Sequence, residues 1–328
     1  MRALRFDRGE LSLVSDQPEP TLRQGEALVR PTLVGVCDTD LQLLQGYMGF
    51  AGVPGHELVG VVVDGPKEWF GKRVVADINF ACGACPTCAT QDPHHCPNRT
   101  VMGILGAGGA FAERLAVPVR NLLAVPDGVS DEDAVFVEPL AAAYEILEQV
   151  DVRASDRVLV LGDGKLGLLC AQVLATTGAR VTVWGHHRAK LDRVAHLPLE
   201  GLTEPNWTGR PFDLVVEATG TGGGLTTAMA AVRPRGAIVL KSTVAADHQL
   251  SLAPIVIDEL RVLGSRCGPF PRALAALQAG EVDVRCLVDA IFRFDLVEAA
   301  FQRAAQRGVL KVVVRFTPLR LPSPPPGA

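Results

Sequence analysis

The sequence predicts a two-domain α/β protein, in which a β-rich, barrel-like unit is followed by a unit built on a doubly wound parallel sheet. The chain has 328 residues, which is longer than one ordinary hydrophobic core supports. Residues 1 to about 80 form short β-type runs separated by Gly and Pro, as in compact barrels. After Pro126, helical patterns alternate with strand patterns, and this alternation is typical of βαβ units.

The N-terminal half contains the predicted strands of the barrel-like unit. They lie in the stretches EALVRPTLVGVC, HELVGVVVDG and KRVVADI, and the stretch FAERLAVPVRNLLAVP resumes the pattern after a cysteine-rich interruption. The opening MRALRFDRGELSLVSD is charged and alternating, so it predicts one first strand and not a signal peptide.

The second half contains the predicted strand–helix alternation. Helices are predicted near 139–149, 165–177, 271–279 and 295–307, and strands at 157–161, 180–184, 213–217 and 237–241. The last strand-like stretches, AIFRF and LKVVVRF, are predicted to return to the first domain. The terminal LPSPPPGA is rich in Pro and is predicted to be disordered.

Charge and hydropathy restrict the classes of partner. The net charge of -4 offers no general attraction to nucleic acid or to an anionic membrane surface. No apolar run approaches the roughly 20 residues needed to span a bilayer. We therefore expect a cytoplasmic protein whose partners are small molecules or other copies of itself.

Four cysteines occur close together, at Cys82, Cys85, Cys88 and Cys96, in a C-x2-C-x2-C-x7-C pattern. Thiolates at such spacing can converge on one point and form a closed tetrahedral zinc site. The alternative is a disulfide cluster, which would require an oxidising compartment and usually a small secreted domain. The absence of an export signal favours structural zinc. The scattered Cys170, Cys267 and Cys286 are expected to be packing residues.

A glycine-rich turn follows the strand predicted at 157–161. Gly162, Gly164 and Gly167 form a G-x-G-x-x-G pattern that opens a helix and also contains Lys165 and Leu166. The first glycine permits a tight turn, the second lets a pyrophosphate approach the backbone, and the third allows close packing of helix and strand. The motif predicts a dinucleotide on the helix N-terminus.

The end of the next strand bears on the choice of dinucleotide. An NAD-preferring site would have an acidic residue about 20 positions after the glycines, but the chain has Gly185 followed by His186, His187 and Arg188. Without that carboxylate, Arg188 can contact a 2′-phosphate, which favours NADP. In the alternative, Arg188 and Lys190 are ordinary solvated charges and NAD binds.

Two further motifs precede the cysteine cluster: GVCDTD at 35–40 and PGHELVG at 54–60. Each is weak alone. Together with the cysteines, EPL at 138–140, GDGKLG and EATG at 217–220, they make residues 1 to 316 strongly resemble the zinc-dependent medium-chain alcohol dehydrogenases. That resemblance implies a GroES-like catalytic domain at 1–139 with a zinc lobe at 80–98, a Rossmann coenzyme domain at 140–282, a return to the catalytic domain at 283–318, and a disordered tail at 319–328.

The resemblance also implies a catalytic zinc distinct from the zinc of the lobe, so two zinc ions per chain. Cys37 and His56 would bind it, and Glu138 would be the third ligand, as in the sorbitol, threonine and glucose dehydrogenase branch. Glu57 would be an outer group or an exchangeable fourth ligand. Thr39 matches the hydroxyl that takes the alcohol proton. Many relatives carry a relay histidine where this chain has Gln42.

The resemblance further implies hydride transfer between an alcohol or polyol, or its carbonyl form, and NADP(H). An NAD-linked sorbitol- or threonine-type dehydrogenase is the alternative, and a catalytically silent nucleotide-binding zinc protein is the alternative of another class. Thr219 and Lys241 are further expected cofactor contacts, and Arg266 a substrate or cofactor contact. A homodimer or homotetramer is expected. The expected substrate pocket comprises Tyr47, Met48, Phe50, Met102, Ile104 and Leu105.

Overall fold

The computed structural model describes residues 1–90, 93–243 and 249–316. The tail predicted to be disordered, 319–328, lies outside these residues. The chain divides into two compact units. Unit 1 comprises Met1–Glu138 and the described residues from Val288 onward, and unit 2 comprises Pro139–Leu287.

Unit 1 is mainly built from short strands. Its elements before the boundary are β1 (Ala3–Asp7), β2 (Glu10–Val14), β3 (Glu26–Gly35), α1 (Asp38–Leu44), β4 (Glu57–Asp64), β5 (Arg73–Ala76), β6 (Asn79–Phe80), α2 (Pro86–Ala89), β7 (Thr100–Met102), β8 (Gly106–Ala107), β9 (Leu115–Pro118), β10 (Leu122–Ala124) and α3 (Asp131–Ala134).

Helices and parallel strands alternate in unit 2, and the first helix contains the boundary between the units. The elements are α4 (Val137–Gln149), β11 (Arg157–Leu161), α5 (Lys165–Ala175), β12 (Arg180–Trp184), α6 (Arg188–Asp192), β13 (Leu199–Leu202), β14 (Phe212–Glu217), α7 (Gly224–Ala231), β15 (Val232–Leu240), α8 (Ala253–Ile257), β16 (Arg261–Gly264) and α9 (Phe270–Ala279). The chain then returns to unit 1 with β17 (Val288–Arg293), α10 (Val297–Ala304) and β18 (Lys311–Arg315).

A seven-stranded sheet is the centre of unit 1. Its order is β10-β5-β4-β3-β18-β17, and β9 also pairs with β3. All pairs are antiparallel except β17 with β18. Exposed or half-buried positions alternate with buried ones along most of β3, as the two-residue period of a strand with one face on the core requires. This sheet brings the ends of β4, β3 and β18 side by side.

The N-terminal segment differs from its prediction. One strand was predicted over the opening residues, but the structure contains an antiparallel hairpin in which Asp7 pairs with Glu10. Between them, Arg8 and Gly9 adopt positive φ angles of 49° and 85°. The two-residue turn Arg8-Gly9 lacks the Asn-Gly or Asp-Gly signal that usually reveals such a hairpin.

A six-stranded, all-parallel sheet is the centre of unit 2, in the order β13-β12-β11-β14-β15-β16. This order is that of a doubly wound dinucleotide-binding fold, whose ligand lies at the carboxyl ends of the two central strands. The central strands are buried nearly throughout, as parallel strands covered on both faces must be. The edge strand β13 was not predicted, because its sequence, LEGL, contains no β-branched residue.

Candidate active site and metal centres

Two neighbouring strands of the unit 1 sheet, β3 and β4, position Cys37, His56 and Glu57. Cys37 follows β3, His56 directly precedes β4, and Gly35 of β3 pairs with Glu57 of β4. A Cβ atom on Gly35 would lie 2.3 Å from Oε2 of Glu57, so the glycine provides the space that this carboxylate occupies. The register of β3 and β4 thus brings residues about 20 positions apart in sequence to one point.

Cys37, His56 and Glu57 form one cluster of potential metal ligands. One ligand atom from each lies within 4.8 Å of the others, and His56 and Glu57 are buried. Oε1 of Glu57 is buried without a hydrogen-bond partner. Buried polar atoms without a partner are costly, so this donor set, a thiol, an imidazole and a carboxylate, fits a metal ion.

Asp40, which the sequence did not reveal as a site residue, contacts both the Cys37 side and the His56 side of this cluster. It is fully buried, and its carboxylate accepts hydrogen bonds from the backbone N–H groups of Cys37, at 2.9 Å, and Gly55, at 3.2 Å. Its Oδ1 also lies 3.3 Å from Nδ1 of His56. An acidic residue at the third position of a helix is the usual partner of the residue before the helix, and this signal could have revealed it.

The ionisation of His56 reflects the same neighbours. Burial by itself would lower the pKa of His56, but the Asp40 carboxylate and the Cys37 sulfur together raise that pKa well above its usual value. The cluster therefore attracts positive charge strongly. A metal ion at the same place would displace the proton, because ligand nitrogens must be deprotonated to coordinate.

Lys311 is a second residue that sequence reasoning missed. Its Nζ forms a buried ion pair with Oε2 of Glu57, and both side chains are essentially inaccessible to water. The same ammonium lies 5.4 Å from the ring centre of Phe136. The lysine in the apolar run LKVVVRF was a usable signal, since a charge on a buried strand needs a partner.

Glu138 lies near the cluster without being one of its three members. It occupies the first turn of α4 and is partly exposed. Removal from water raises the pKa of its carboxyl to about 7, and the nearby charges of His56 and Lys311 only partly oppose this shift. The role of Glu138 as third ligand stays a prediction.

The remaining predicted residues of unit 1 differ in burial. Thr39 is half-buried in the first turn of α1, and Oε1 of Gln42 is buried without a hydrogen-bond partner. Among the expected pocket residues, Met102 is fully buried, whereas Met48 and Leu105 are 52% and 43% exposed. Full burial identifies Met102 as a core residue.

The four lobe cysteines lie together. Sγ of Cys82 is 3.5 Å from that of Cys96 and 3.9 Å from that of Cys88, and Sγ of Cys85 is 3.5 Å from Cys88 and 3.7 Å from Cys96. All four are free thiols. In a tetrahedral site with Zn–S bonds of about 2.3 Å, the sulfur atoms are separated by about 3.8 Å. The spacing therefore fits zinc and is far longer than a disulfide bond of about 2.05 Å.

The glycine loop of unit 2 has the features that the motif requires. Gly162 has a φ of +114°, and a Cβ on it would lie 2.4 Å from the carbonyl oxygen of Ala218. A Cβ on Gly167 would lie 2.3 Å from the carbonyl oxygen of Gly162. A Cβ on Gly164 would meet no atom within 4 Å, which leaves its surface open for a ligand. Lys165 and Leu166 continue from this loop as the start of α5.

Other expected cofactor contacts are engaged within unit 2. Thr219 donates from its backbone N–H and its hydroxyl to Oε1 of the buried Glu217, at 2.8 and 2.6 Å. Lys241 donates to the carbonyl oxygens of Ala142, at 2.7 Å, and Arg266, at 3.2 Å. Thr219 thus shapes the turn after β14, and Lys241 holds the loop that contains Arg266.

The residues that follow β12 make contacts that the sequence did not predict. Asp163 of the glycine loop accepts hydrogen bonds from the backbone N–H of His187, at 2.7 Å, and from Nζ of Lys190, at 3.4 Å. Arg188 instead forms an exposed ion pair with Asp192, at 2.9 Å. His186 is exposed, and its ring centre lies 6.3 Å from that of Trp184.

Comparison with known proteins identifies the family. Residues 23–127 match the model of the alcohol dehydrogenase GroES-like domain, and residues 166–279 match the model of the zinc-binding dehydrogenases. A protein of Mycobacterium tuberculosis named probable zinc-binding alcohol dehydrogenase Rv1895 is 31% identical over 346 residues, which cover 96% of this chain and 88% of that protein. The chain belongs to the zinc-dependent medium-chain alcohol dehydrogenases.

Two more similarities support this membership. D-arabinitol dehydrogenase 1 of Uromyces fabae is 27% identical to this dehydrogenase, over 96% of this chain and 97% of that protein. The crystal structure of an alcohol dehydrogenase (rspB) from Escherichia coli CFT073, complexed with NADH, superposes with a TM-score of 0.88 at 26% identity, covering 96% and 99% of the two chains. The predicted fold class and family are confirmed, and they assign the chain to the NAD(P)-linked oxidoreductases of alcohols.

Among the described residues, no helix is both long and apolar enough to cross a lipid bilayer.

Proposed function

We propose that the chain is a zinc-dependent dehydrogenase that transfers hydride between an alcohol or polyol, or the corresponding carbonyl compound, and a nicotinamide dinucleotide, with the reaction at the Cys37–His56–Glu57 cluster. The observation that carries the proposal is this largely buried donor set, in which Oε1 of Glu57 has no hydrogen-bond partner. A metal with three protein ligands keeps a position for substrate.

The residues around the cluster have separate tasks in this proposal. A zinc ion held there would supply Lewis-acid chemistry and lower the pKa of the substrate hydroxyl. Asp40 orients His56 and fixes the backbone that holds Cys37. Lys311 balances the charge of Glu57 and engages Oε2, which leaves Oε1 for the metal or for exchange with Glu138. Thr39 would accept the proton of the substrate hydroxyl while it releases its own hydroxyl proton to water.

The second proposed metal site is structural. Four thiolates at Cys82, Cys85, Cys88 and Cys96 complete a tetrahedral shell and leave no position for substrate. His94 supports the lobe through a 2.6 Å contact between its Nε2 and Oδ2 of Asp77. The proposal therefore includes two zinc ions per chain with different tasks.

Three observations support the proposed substrate class. The similarity to a D-arabinitol dehydrogenase over nearly the whole chain supports a polyol. Glu138 at the start of α4 agrees, since the acidic residue in this position resembles the sorbitol branch. The partly exposed Met48 and Leu105 supply apolar surface for the carbon chain. We propose a polyol or an alcohol with a short apolar part.

The preference between the two dinucleotides stays a prediction. Gly185 and Arg188 favour NADP on sequence grounds, whereas the Asp163 carboxylate at the end of β12 favours NAD. Comparison of kcat/KM for the two cofactors with one substrate decides between them.

A cytoplasmic location and a homodimer or homotetramer complete the proposal. Light scattering of the purified chain measures the oligomeric state.

A silent nucleotide-binding zinc protein is the second candidate. Gln42 favours it, because an amide cannot act as a base and its buried Oε1 has no hydrogen-bond partner. In that case the metal-loaded protein would bind a dinucleotide without turnover.

The decisive experiment is a screen of polyols, alcohols and carbonyl compounds with both cofactors, in which absorbance at 340 nm monitors the turnover. We expect turnover with at least one polyol or alcohol. Absence of turnover with every substrate, from protein that contains two zinc ions per chain and binds dinucleotide, would instead support the silent protein.

A further inference from the structure

A carboxylate from the glycine loop occupies the space at the end of β12. A Cβ atom on Gly185 would lie 2.3 Å from Cβ of Asp163 and 2.5 Å from its Oδ2. Real Cβ atoms do not approach other atoms so closely, so an acidic side chain at position 185 and the present position of Asp163 exclude each other. The carboxylate that the sequence lacks at this strand end is therefore supplied from another position.

We propose that Asp163 determines the cofactor preference: it takes over the ribose-binding role of the missing strand-end carboxylate and selects NAD over NADP. In dinucleotide-binding folds, an acidic residue at the end of the second strand accepts a hydrogen bond from the 2′-hydroxyl of the adenosine ribose. This inference rests on the proposed nicotinamide dinucleotide, and it replaces the NADP preference expected from Arg188.

The carboxylate of Asp163 keeps capacity for a ribose hydroxyl. Its Oδ2 accepts from the backbone N–H of His187, at 2.7 Å, and lies 3.0 Å from Nδ1 of the same residue. Oδ1 has only longer contacts, 3.3 Å to that Nδ1 and 3.4 Å to Nζ of Lys190. An ionised carboxylate offers about four acceptor sites, so Oδ1 can accept a further hydrogen bond.

The ionised state of Asp163 is maintained by its surroundings. Burial by itself would raise its pKa, but the backbone hydrogen bond from His187 and the charge of Lys190 hold the pKa below its usual value. Lys190 adds a donor next to this acceptor, and an acceptor beside a donor suits the adjacent 2′- and 3′-hydroxyls of ribose.

In the segment 186–190, which follows β12, the arginine and the lysine are each paired with a carboxylate. Arg188 pairs with Asp192 at 2.9 Å, and Lys190 pairs with Asp163 at 3.4 Å. A 2′-phosphate would therefore meet the negative charge of Asp163 without an uncompensated arginine or lysine in this segment to offset it. Like charges in close contact repel each other, so this repulsion should weaken the binding of NADP relative to that of NAD.

The test measures binding of ADP-ribose and 2′-phospho-ADP-ribose by isothermal titration calorimetry. Neither ligand contains nicotinamide, so the result is independent of turnover and remains informative even if the proposed reaction fails. We expect the wild-type chain to bind ADP-ribose roughly tenfold more tightly or better, as one charge-assisted hydrogen bond allows. Tighter binding of the 2′-phosphorylated ligand would overturn the proposal.

Variants separate ribose recognition from a purely structural role. Asp163→Asn should weaken ADP-ribose binding roughly tenfold, and it should strengthen 2′-phospho-ADP-ribose binding because the repulsion of the 2′-phosphate is removed. The double variant Asp163→Gly/Gly185→Asp moves the carboxylate to the strand end, where the φ of Gly185 lies outside the left-handed region. It should recover most of the preference for ADP-ribose.

Glu148→Gln is the matched control, because it neutralises an exposed carboxylate on α4 in the same unit. It should leave the preference for ADP-ribose unchanged, and circular dichroism should show all variants folded. A folded Asp163→Asn variant with undiminished ADP-ribose affinity would overturn the assignment. So would a folded double variant that binds ADP-ribose no better than Asp163→Asn.

Discussion

At the scale of single residues, Cys37 and His56 carry the proposed chemistry. We expect Cys37→Ala to lower kcat/KM roughly 100-fold or more, because loss of the metal removes several kcal/mol of transition-state stabilisation. Cys170→Ala is the control, since that buried cysteine lies on α5, in the other unit. Steady-state rates at 340 nm measure both variants. Equal rates for Cys37→Ala and Cys170→Ala would contradict the proposed role of the cluster.

The ion pair of Lys311 and Glu57 makes a separate prediction about stability. Lys311→Met leaves the buried Glu57 carboxylate without its cation, so the free energy of unfolding should fall by about 3 to 5 kcal/mol. The double variant Lys311→Met/Glu57→Gln removes both charges and should regain more than half of that loss. Urea unfolding measures the cycle, and equal losses in the single and double variants would show that the pair is not coupled.

At the scale of elements, two glycines of the glycine loop meet different requirements: Gly162 permits the turn of the backbone, and Gly164 leaves space for a ligand. Gly162→Ala combines a φ of +114° with a close contact to Ala218, so we expect a loss of about 1 to 3 kcal/mol in stability. Gly164→Ala meets no protein atom, so it should leave the melting temperature unchanged and weaken NADH binding. Thermal unfolding and NADH titration check the two variants. A drop in stability for Gly164→Ala would refute the assignment of open space for the pyrophosphate.

The cysteine lobe is expected to act as a stabilising element. Cys85→Ser should remove one zinc ion per chain and make the lobe more sensitive to proteolysis, because the closed thiolate shell orders its short turns. Cys286→Ser lies outside both clusters and serves as the control. Metal analysis and limited proteolysis measure the effect. Unchanged zinc content in Cys85→Ser would exclude the proposed structural site.

Elements with a local signal could be predicted from the sequence. The strands at 157–161 and 180–184 appear with those bounds, and the spacing of the four cysteines anticipated their convergence. The hairpin at the N-terminus and strand β13 could not be predicted, because their turn and composition lack the usual β signals. Helix α10 begins two residues later than predicted, because Phe294–Leu296 form a 3-10 helix, and it ends three residues earlier.

At the scale of the whole molecule, contacts between distant parts of the sequence were the least predictable. Lys311 meets Glu57 across 254 positions, because β18 returns to the sheet beside β3. Asp163 reaches the space above Gly185 because β11 and β12 are neighbours in the parallel sheet. Periodicity and motif spacing describe only local structure. Charge balance at the metal cluster and cofactor choice depend on sheet topology, which becomes visible only in three dimensions.

The central claim is that one chain contains a closed structural metal site and an open catalytic one. The most direct measurement is the zinc content of the purified protein by mass spectrometry. We predict two zinc ions per chain in the wild type and one in His56→Ala, which loses a ligand of the open site and keeps all four lobe cysteines. One zinc ion per chain in the wild type, or two in His56→Ala, would contradict the account.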